Sequence, residues 1–145
     1  MRSVLLVFCA FLSLLAKAEN GTNWKAKTEK PDYLHRAIKK MTDVMVHDIY
    51  SPPVASRTYA YITIAGYEAG LHGNAAYQSI AGQVRGLKGV PKPKQGEEYS
   101  FTLAAVHAIL TVGKTMVISE QVIEDFYLSI LAEFKQAGIP ETVFH

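Results

Sequence analysis

The fold is decided by residues 51–71, which read SPPVASRTYAYITIAGYEAGL. Ser51 can cap a helix, and proline fits the first helical turn because its missing N–H would have no partner there. The helix that follows, from Pro53 to about Leu71, has large side chains on nearly every side and no clear polar face: Val54, Tyr59, Tyr61, Ile62, Ile64 and Tyr67. Neighbours cover such a helix on most sides. We therefore expect it to be buried inside a helical bundle.

Small residues are concentrated in the C-terminal part of this helix and just beyond it: Ala65, Gly66, Ala69, Gly70 and Gly73. Glycine inside a helix costs about 1 kcal/mol relative to alanine. Close packing of a second helix would compensate for that cost. The spacing therefore predicts a close helix–helix contact here.

Apolar residues at helical spacing predict further helices on both sides of this segment. Their approximate bounds are 32–49, 77–87, 97–117 and 120–137, with 77–87 weakened by Gly82 and Gly86. Asp32 and Ser119 are the expected caps of the first and last of these helices, and Glu141 could begin another. No strand pattern of period two is present. The predicted fold class is all-α, an incomplete helical bundle with about five helices of a larger bundle.

The first eighteen residues are typical of a secretory signal peptide. Arg2 precedes an apolar run from Val4 to Leu15, and Ala16-Lys17-Ala18 is a signal-peptidase pattern. An uncleaved anchor is the alternative, but this run is shorter than the ~20 residues that span a bilayer. We expect residues 1–18 to be removed, residues 19–31 to be a mobile, lysine-rich leader, and residues 32–145 to form the helical part. The protein would then be periplasmic or secreted.

The charge balance argues against several partners. The chain has 15 basic and 13 acidic residues, and loss of Arg2 and Lys17 with the signal leaves 13 of each. A neutral chain has no basic field to collect nucleic acid or anionic lipid. We therefore expect no nucleic-acid partner, and no membrane contact after signal cleavage. Since Cys9 is the only cysteine, the mature chain has no thiol chemistry and no disulfide.

Three residues whose side chains can carry charge, Arg57, Glu68 and His47, lie on the first two predicted helices. Arg57 and Glu68 share one face of the second helix with Tyr61, but eleven residues separate the two charges by about 16 Å, so they cannot pair. Because a buried charge needs a partner, each must find one on another element. The residues either act beside an active site or form ion pairs that lock helices together, and we favour the second interpretation. His47 lies one turn after Asp43 and can pair with it.

The sequence contains no recognisable catalytic or metal motif of its own. His47, His72 and His107 lie on three elements and lack the i, i+4 spacing of paired metal ligands. They are interpreted as structural or surface histidines. No serine–histidine–acid set, close carboxylate pair or glycine-rich dinucleotide turn is present. The residues alone therefore indicate an exported helical domain and no more.

Three segments resemble a known group of proteins: residues 42–61, residues 64–69 and residues 79–83. They are similar to the N-terminal half of exported bacterial proteins, most like those of Bacteroidetes, in the superfamily of vanadium-dependent haloperoxidases and type 2 phosphatidic acid phosphatases. The resemblance covers roughly residues 33–140. It implies a helical bundle whose chemistry lies in a later section, with vanadate as a possible cofactor of the full-length parent.

The family places its chemistry in three motifs, and none of them is in this chain. They are a lysine followed at a distance by Arg-Pro, then Pro-Ser-Gly-His, then Ser-Arg with a histidine six residues after the arginine. Ser56-Arg57 begins like the third motif, but Thr63 stands where the histidine would be. The resemblance therefore assigns no catalytic, cofactor-binding or metal-binding residue here. Arg57, Glu68 and His47 remain as charges with a structural role or a role beside an active site.

We interpret the chain as an N-terminal scaffold of a haloperoxidase-like or phosphatase-like enzyme, truncated at Phe144-His145 and inactive alone. Its expected partner is the missing C-terminal catalytic half, and we expect self-association without it. The alternative is a complete, non-enzymatic periplasmic helical binding module, and a third possibility is a metal-binding protein that uses the scattered histidines. The sequence leaves open whether the parent oxidises halide or hydrolyses a phosphate ester.

Overall fold

A computed structural model describes residues 24–144 of the chain. Four helices form its framework: α1 (Asp32–His47), α2 (Pro52–Gly70), α3 (Phe101–Lys114) and α4 (Glu120–Gln136). Short 3-10 turns occupy Leu71–Gly73 and Glu141–Val143. Within the described residues there is no strand, only an isolated bridge between Ala81 and Val84. The predicted all-α class and partial bundle are confirmed. The predicted signal peptide lies outside the described residues.

Helix α3 is the centre of the molecule, because α1, α2 and α4 all pack against it. Its sequence is apolar apart from a few positions, so it can present buried residues in several directions. The core that results combines one residue or more from every helix with Trp24 and the C-terminal turn: Trp24, Met41, Met45, Ile62, Val106, Leu110, Ile123, Ile130, Phe134 and Val143. Helix α2, which we expected to be buried on most sides, instead lies on one side of α3.

Glycines set the distance between these helices. A Cβ on Gly66 of α2 would lie 2.6 Å from Cγ1 of Ile109, and a Cβ on Gly70 would lie 3.2 Å from Cβ of Ala105. Both partners belong to α3. The close contact predicted from the small residues is therefore made, and it is made with α3.

Two helix ends differ from the predictions. Pro31, not Asp32, is the N-terminal residue before α1, and Asp32 contributes its negative charge to the first turn. Ser119 precedes α4 but makes no capping bond with its own side chain. Asp48, from the turn after α1, accepts hydrogen bonds from the backbone N–H groups of Ile118 and Ser119 at 2.8 and 3.0 Å. Ser119 is therefore the N-cap residue by position, and a carboxylate from the turn after α1 binds the two backbone N–H groups just before α4.

The third predicted helix, residues 77–87, does not form. Gly82 and Gly86 adopt φ values of 83° and 87°, in the left-handed region that glycine enters without steric cost. The segment makes turns, and the following residues to Ser100 have no regular structure. The prediction of a helix here is wrong because these glycines close turns.

The prediction of a mobile leader is wrong for residues 24–31. Residues 24–28 are helical, and Trp24 is buried in the core. Lys25 pairs with Glu98 at 2.6 Å, and Glu29 accepts hydrogen bonds from Ser100 Oγ and Thr102 Oγ1 at 3.0 and 2.7 Å. Burial of a single indole outweighs the polar character of its neighbours. Residues 19–23 lie outside the described part of the chain.

Candidate functional site

The most unusual surface of the molecule is the outer side of α2. Its buried residues are Thr58, Ile62, Gly66 and Glu68; Gly66 packs against α3 and Glu68 binds the following loop. Val54 and Tyr61 are about half exposed, at 49% and 51%, and Tyr67 is exposed beside them. With Arg57 and the half-buried Ile64, these residues form what we call the open face of α2. An apolar helix therefore has a substantial uncovered side within the described structure.

A cleft of about 530 Å³ runs along one flank of α2, between it and α1. We call it the α1–α2 cleft. Apolar side chains dominate its lining, including Leu34, Ile38, Tyr67, Tyr77, Phe101 and Ile109. The only acid in the lining is Glu29, whose carboxylate oxygens already bind Ser100 and Thr102. This cleft offers apolar contact and few free polar groups.

A second cleft of about 440 Å³ lies on the other flank, between α2 and α3 where the loop passes. We call it the α2–α3 cleft. It is lined mostly by apolar residues of α2, of the loop and of α3: Tyr61, Ile64, Ala65, Ala69, Leu87, Val90, Ala108 and Val112. Helix α2 is thus bordered by an apolar depression on each side.

Glu68 is the one buried carboxylate on α2, at 4% exposure. Its Oε2 accepts a hydrogen bond from Ser79 Oγ and its Oε1 accepts one from the Ile80 N–H, both at 2.8 Å. Glu68 therefore has the partner on another element that the sequence required. The partner is a hydroxyl and a backbone amide rather than a cation, so the bond fastens the loop to α2 without forming an ion pair.

The other two charges singled out from the sequence are on the surface. Arg57 is exposed on the open face of α2, so it is not a buried charge in the described structure. His47 is exposed at the end of α1, and Asp43, its expected partner, pairs with Lys39 at 2.8 Å. The structure therefore does not bring Arg57, Glu68 and His47 together into one site.

Polar pairs between helices lie away from the open face. Arg36 of α1 donates to Glu133 of α4 at 2.7 Å. The hydrogen bond raises the pKa of Arg36 and lowers the pKa of Glu133. Lys114 of α3 binds Glu124 of α4 at 2.6 Å, which raises the pKa of the lysine. These pairs hold the helices together.

The histidine with the most specific environment is His107 on α3. Its Nδ1 lies 2.6 Å from the hydroxyl of Tyr127 on α4. Burial and the nearby Glu124 raise the pKa of Tyr127. His72 is exposed and lies elsewhere. Across residues 24–144, no group of three potential ligands among His, Cys, Asp and Glu is placed to hold a metal ion together.

Two structural residues escaped the sequence analysis. Trp24 had a signal, since it is the only tryptophan of the chain, but the polar residues around it concealed its burial. Asp48 had none, because its partners on the turn before α4 are about 70 positions away in the sequence. Neither residue lies in the clefts, so both act by holding the scaffold.

Comparison with known proteins shows which class of fold the described residues belong to. The described fold is haloperoxidase-like, and it resembles a solved structure called the first bacterial vanadium-dependent iodoperoxidase. The two agree with a TM-score of 0.65 and 35% sequence identity over 75% of this chain. That match spans only 29% of the iodoperoxidase chain. No family profile matches this chain, and no curated protein matches it.

The described residues do not fit a vanadate site. Vanadate is an oxyanion, and its negative charge calls for several cationic donors that converge on one point. Five of the described basic side chains are instead each paired with one acid: Lys25 with Glu98, Arg36 with Glu133, Lys39 with Asp43, Lys94 with Glu97, and Lys114 with Glu124. Arg57 lies apart from them on the open face of α2.

Within residues 24–144, no helix has both the length and the apolar character of a membrane span.

Proposed function

We propose that this chain is the N-terminal scaffold of an exported bacterial enzyme, either a vanadium-dependent haloperoxidase or a related acid phosphatase of the same superfamily. The residues that carry out the chemistry would lie in the remainder of that parent. The observation that carries the proposal is the open face of α2 with an apolar cleft on each flank. The 35% identity with an iodoperoxidase supports it, since the match spans only 29% of that protein.

The energetics favour a large apolar partner on this face. Complete burial of a fully exposed large apolar side chain contributes about 1.5–3 kcal/mol, and Val54, Tyr61 and Tyr67 on the open face still expose 49%, 51% and 36% of their surface. Two exposed clefts beside the same helix extend this surface over α1 and α3. Extended apolar surface on a single chain usually marks an interaction site. The catalytic part of a parent enzyme would bury it permanently.

In this proposal the chain contributes an apolar packing surface and no residue that takes part in the reaction. The glycine contacts fix α2 on α3, and Glu68 fastens the loop that borders the α2–α3 cleft. The catalytic part would then pack against a preformed apolar surface whose main charged residue is Arg57. The residues present do not favour halide oxidation over phosphate ester hydrolysis.

One observation favours a second function, a complete periplasmic binding module without enzyme activity. The α1–α2 cleft has a volume of about 530 Å³, which is within the usual range of small-molecule sites, about 300–1,000 Å³. Its lining of aromatic and aliphatic side chains would suit an apolar ligand. Such a module would need no further chain.

The coding sequence downstream of His145 separates these two functions. The scaffold proposal requires an in-frame Pro-Ser-Gly-His motif within the next few hundred residues, followed by Ser-Arg and its histidine. A stop codon at that point would leave the binding module as the better explanation.

Export is a separate part of the proposal. The apolar run and Ala16-Lys17-Ala18 support cleavage near Glu19. Mass spectrometry of the protein recovered from the periplasm or medium should give a mature N-terminus near Glu19. Recovery of the intact Met1 form from the periplasm would contradict cleavage.

A further inference from the structure

Ile49 has a backbone conformation that its side chain disfavours. Its φ is +57°, and it is the only residue other than glycine with a positive φ in residues 24–144. Isoleucine is β-branched, so its Cβ crowds the backbone in this left-handed region, where such residues are genuine outliers. The side chain is also 90% exposed. The chain therefore holds an apolar residue in a strained conformation where it makes almost no contact.

The helix end explains the conformation but not the isoleucine. The Tyr50 N–H donates to the Met45 carbonyl at 3.0 Å, and the Ile49 N–H donates to the Val46 carbonyl at 3.1 Å. These two bonds form the motif that commonly ends a helix with a left-handed residue, which is usually glycine and sometimes asparagine. Either residue would make the same bonds with less strain. The reason for isoleucine must therefore lie in its side chain.

Two other exposed apolar residues lie beside Ile49. Val46 is 73% exposed and Ile118 is 77% exposed. Asp48, the residue before Ile49, binds the backbone N–H of Ile118 and thereby joins the turn after α1 to the turn before α4. We call Val46, Ile49 and Ile118 the hairpin tip. The hydrogen bonds of Asp48 and Tyr50 hold it in a fixed shape.

We propose that the hairpin tip inserts into an apolar pocket on the catalytic part of the parent enzyme, with Ile49 as its central contact. This inference rests on the proposed function. A strained residue persists when the surrounding structure over-determines it, and such residues cluster at functional contacts. Burial of the Ile49 side chain in a partner supplies the stabilisation that the isolated chain lacks.

The choice of occupant follows from chain length, position and charge. The matched iodoperoxidase has 71% of its chain outside the match, which is 100% less the 29% covered. The tip leads directly into α2, whose exposed Val54 begins the open face, so one partner can cover both. Residues 43–52 and 116–121 contain Asp43, Asp48 and Glu120 but no lysine or arginine. That charge pattern disfavours an anionic lipid surface, which attracts basic residues.

The test compares Ile49→Asn in this chain and in the full-length parent. Asparagine accepts the left-handed conformation and removes the apolar side chain. In this chain, we expect the midpoint of thermal helix loss to rise by about 2–6 °C as strain is relieved. In the parent, the same substitution should lower the midpoint, because the docked side chain is lost. Ile49→Gly should behave in the same way, with a smaller rise in this chain because glycine is more flexible when unfolded.

The controls separate docking from a purely local effect. Val46→Ala and Ile118→Ala relieve no strain, so they should leave this chain unchanged and destabilise the parent. Leu128→Ala lies at an exposed position on α4, away from the tip. It should not change the thermal midpoint in opposite directions in this chain and in the parent. A rise for Ile49→Asn in both proteins would show that the isoleucine makes no docking contact and would overturn the inference.

Four further outcomes are decisive. Loss of self-association by Ile49→Asn in this chain, measured by sedimentation, would assign the tip to a second copy and overturn the inference. Weakened binding of that variant to phosphatidylglycerol vesicles would assign it to a membrane and would also overturn it. A stop codon after His145 would remove the proposed function and this inference together. A parent that exists but tolerates Ile49→Asn without loss would remove the inference alone.

Discussion

Asp48 shows how much a single carboxylate can organise. Its Oδ2 accepts from the backbone N–H groups of Ile118 and Ser119, and Oδ1 accepts from the Ser119 hydroxyl at 2.5 Å. These bonds, with the serine hydroxyl as the largest cause, lower the pKa of Asp48 below its ordinary value of 3.8. One side chain therefore fixes the end of α1 to the start of α4.

Asp48→Asn should lower the stability of the chain at neutral pH and flatten its acid dependence. A carboxyl group whose pKa is lower in the folded state contributes stability that is present above the unfolded pKa, which is close to that ordinary value. That contribution is lost as the pH falls through the lower, folded value. Midpoints of thermal helix loss should be measured from pH 7 to pH 2 for both proteins.

The two curves for Asp48→Asn should converge at the acid end, because protonated aspartic acid has already lost the charge-assisted bonds. Asp125→Asn, an exposed position on α4, is the matched control and should follow the unchanged protein throughout. Curves for Asp48→Asn and the unchanged protein that stay parallel down to pH 2 would show that the charge of Asp48 is unimportant.

At the scale of elements, the spacing of apolar residues predicted the four long helices. Helices α1, α3 and α4 have apolar stripes and α2 is apolar on nearly every side, and all four form within a few residues of the expected bounds. Residues 77–87 failed because two glycines close turns, which is a local conformational choice that an apolar count does not detect. Helical residues 24–28 were missed because their main stabilisation is tertiary, through Trp24. The limits of the prediction therefore lie where tertiary contacts override local pattern.

The site was less predictable than the helices for a related reason. Glu68 is a buried charge that needed a partner, and the sequence implied this. It did not imply that a hydroxyl and a backbone amide of the loop would serve. Arg57 was expected to be buried because α2 is apolar, but the described structure leaves its side of α2 uncovered.

Gly66→Ala should separate α2 from α3. The added Cβ would lie 2.6 Å from Cγ1 and 2.8 Å from Cδ1 of Ile109, so the helices or the isoleucine must move. Overpacking of this kind costs about 1–3 kcal/mol, against a gain of about 1 kcal/mol in helix propensity. We expect a net destabilisation of up to about 2 kcal/mol, measured by urea titration of the helical signal.

Gly89→Ala is the matched control for this contact. A Cβ at Gly89 meets nothing within 4 Å, and its φ is not in the left-handed region. It should leave the urea midpoint unchanged or raise it slightly. Equal effects of the two substitutions would mean that the Gly66 contact with Ile109 does not limit the packing of α2.

At the scale of the whole molecule, the architecture is one-sided. Helix α3 is covered by α1, α2 and α4, whereas α2 is covered mainly by α3. The free energy of unfolding of a domain is only about 5–15 kcal/mol. The burial energy that a few exposed apolar side chains on α2 fail to contribute is therefore large by comparison. The chain by itself should be helical but loosely packed around α2.

Residues 19–145 alone should show helical circular dichroism, bind a dye such as ANS, and associate on concentration. Tyr61→Ser should reduce both dye binding and association, because Tyr61 is on the open face of α2. Leu128→Ser, at a similarly exposed position on α4, should reduce them less. A dilute monomer with a sharp cooperative melt and no dye binding would instead indicate a complete domain and favour the binding module.

The same protein should have no activity of its own. With vanadate, peroxide and bromide it should not brominate a dye above background, and it should not hydrolyse a phosphate monoester. The reason is chemical, since the sequence has none of the three family motifs and five of its described basic residues are each occupied by one acid. Turnover that persists through purification in either assay would refute the scaffold proposal.

If the chain is exported as proposed, the burial of Trp24 has a consequence for the order of signal cleavage and folding. If cleavage follows Ala18, five residues separate the cut from the tryptophan, and an extended chain of that length reaches about 18 Å at most. An uncut precursor that had already seated its indole would hold the peptidase site against the folded surface. Signal cleavage should therefore precede the burial of Trp24. The time of cleavage would then determine when this end of the bundle can finish folding.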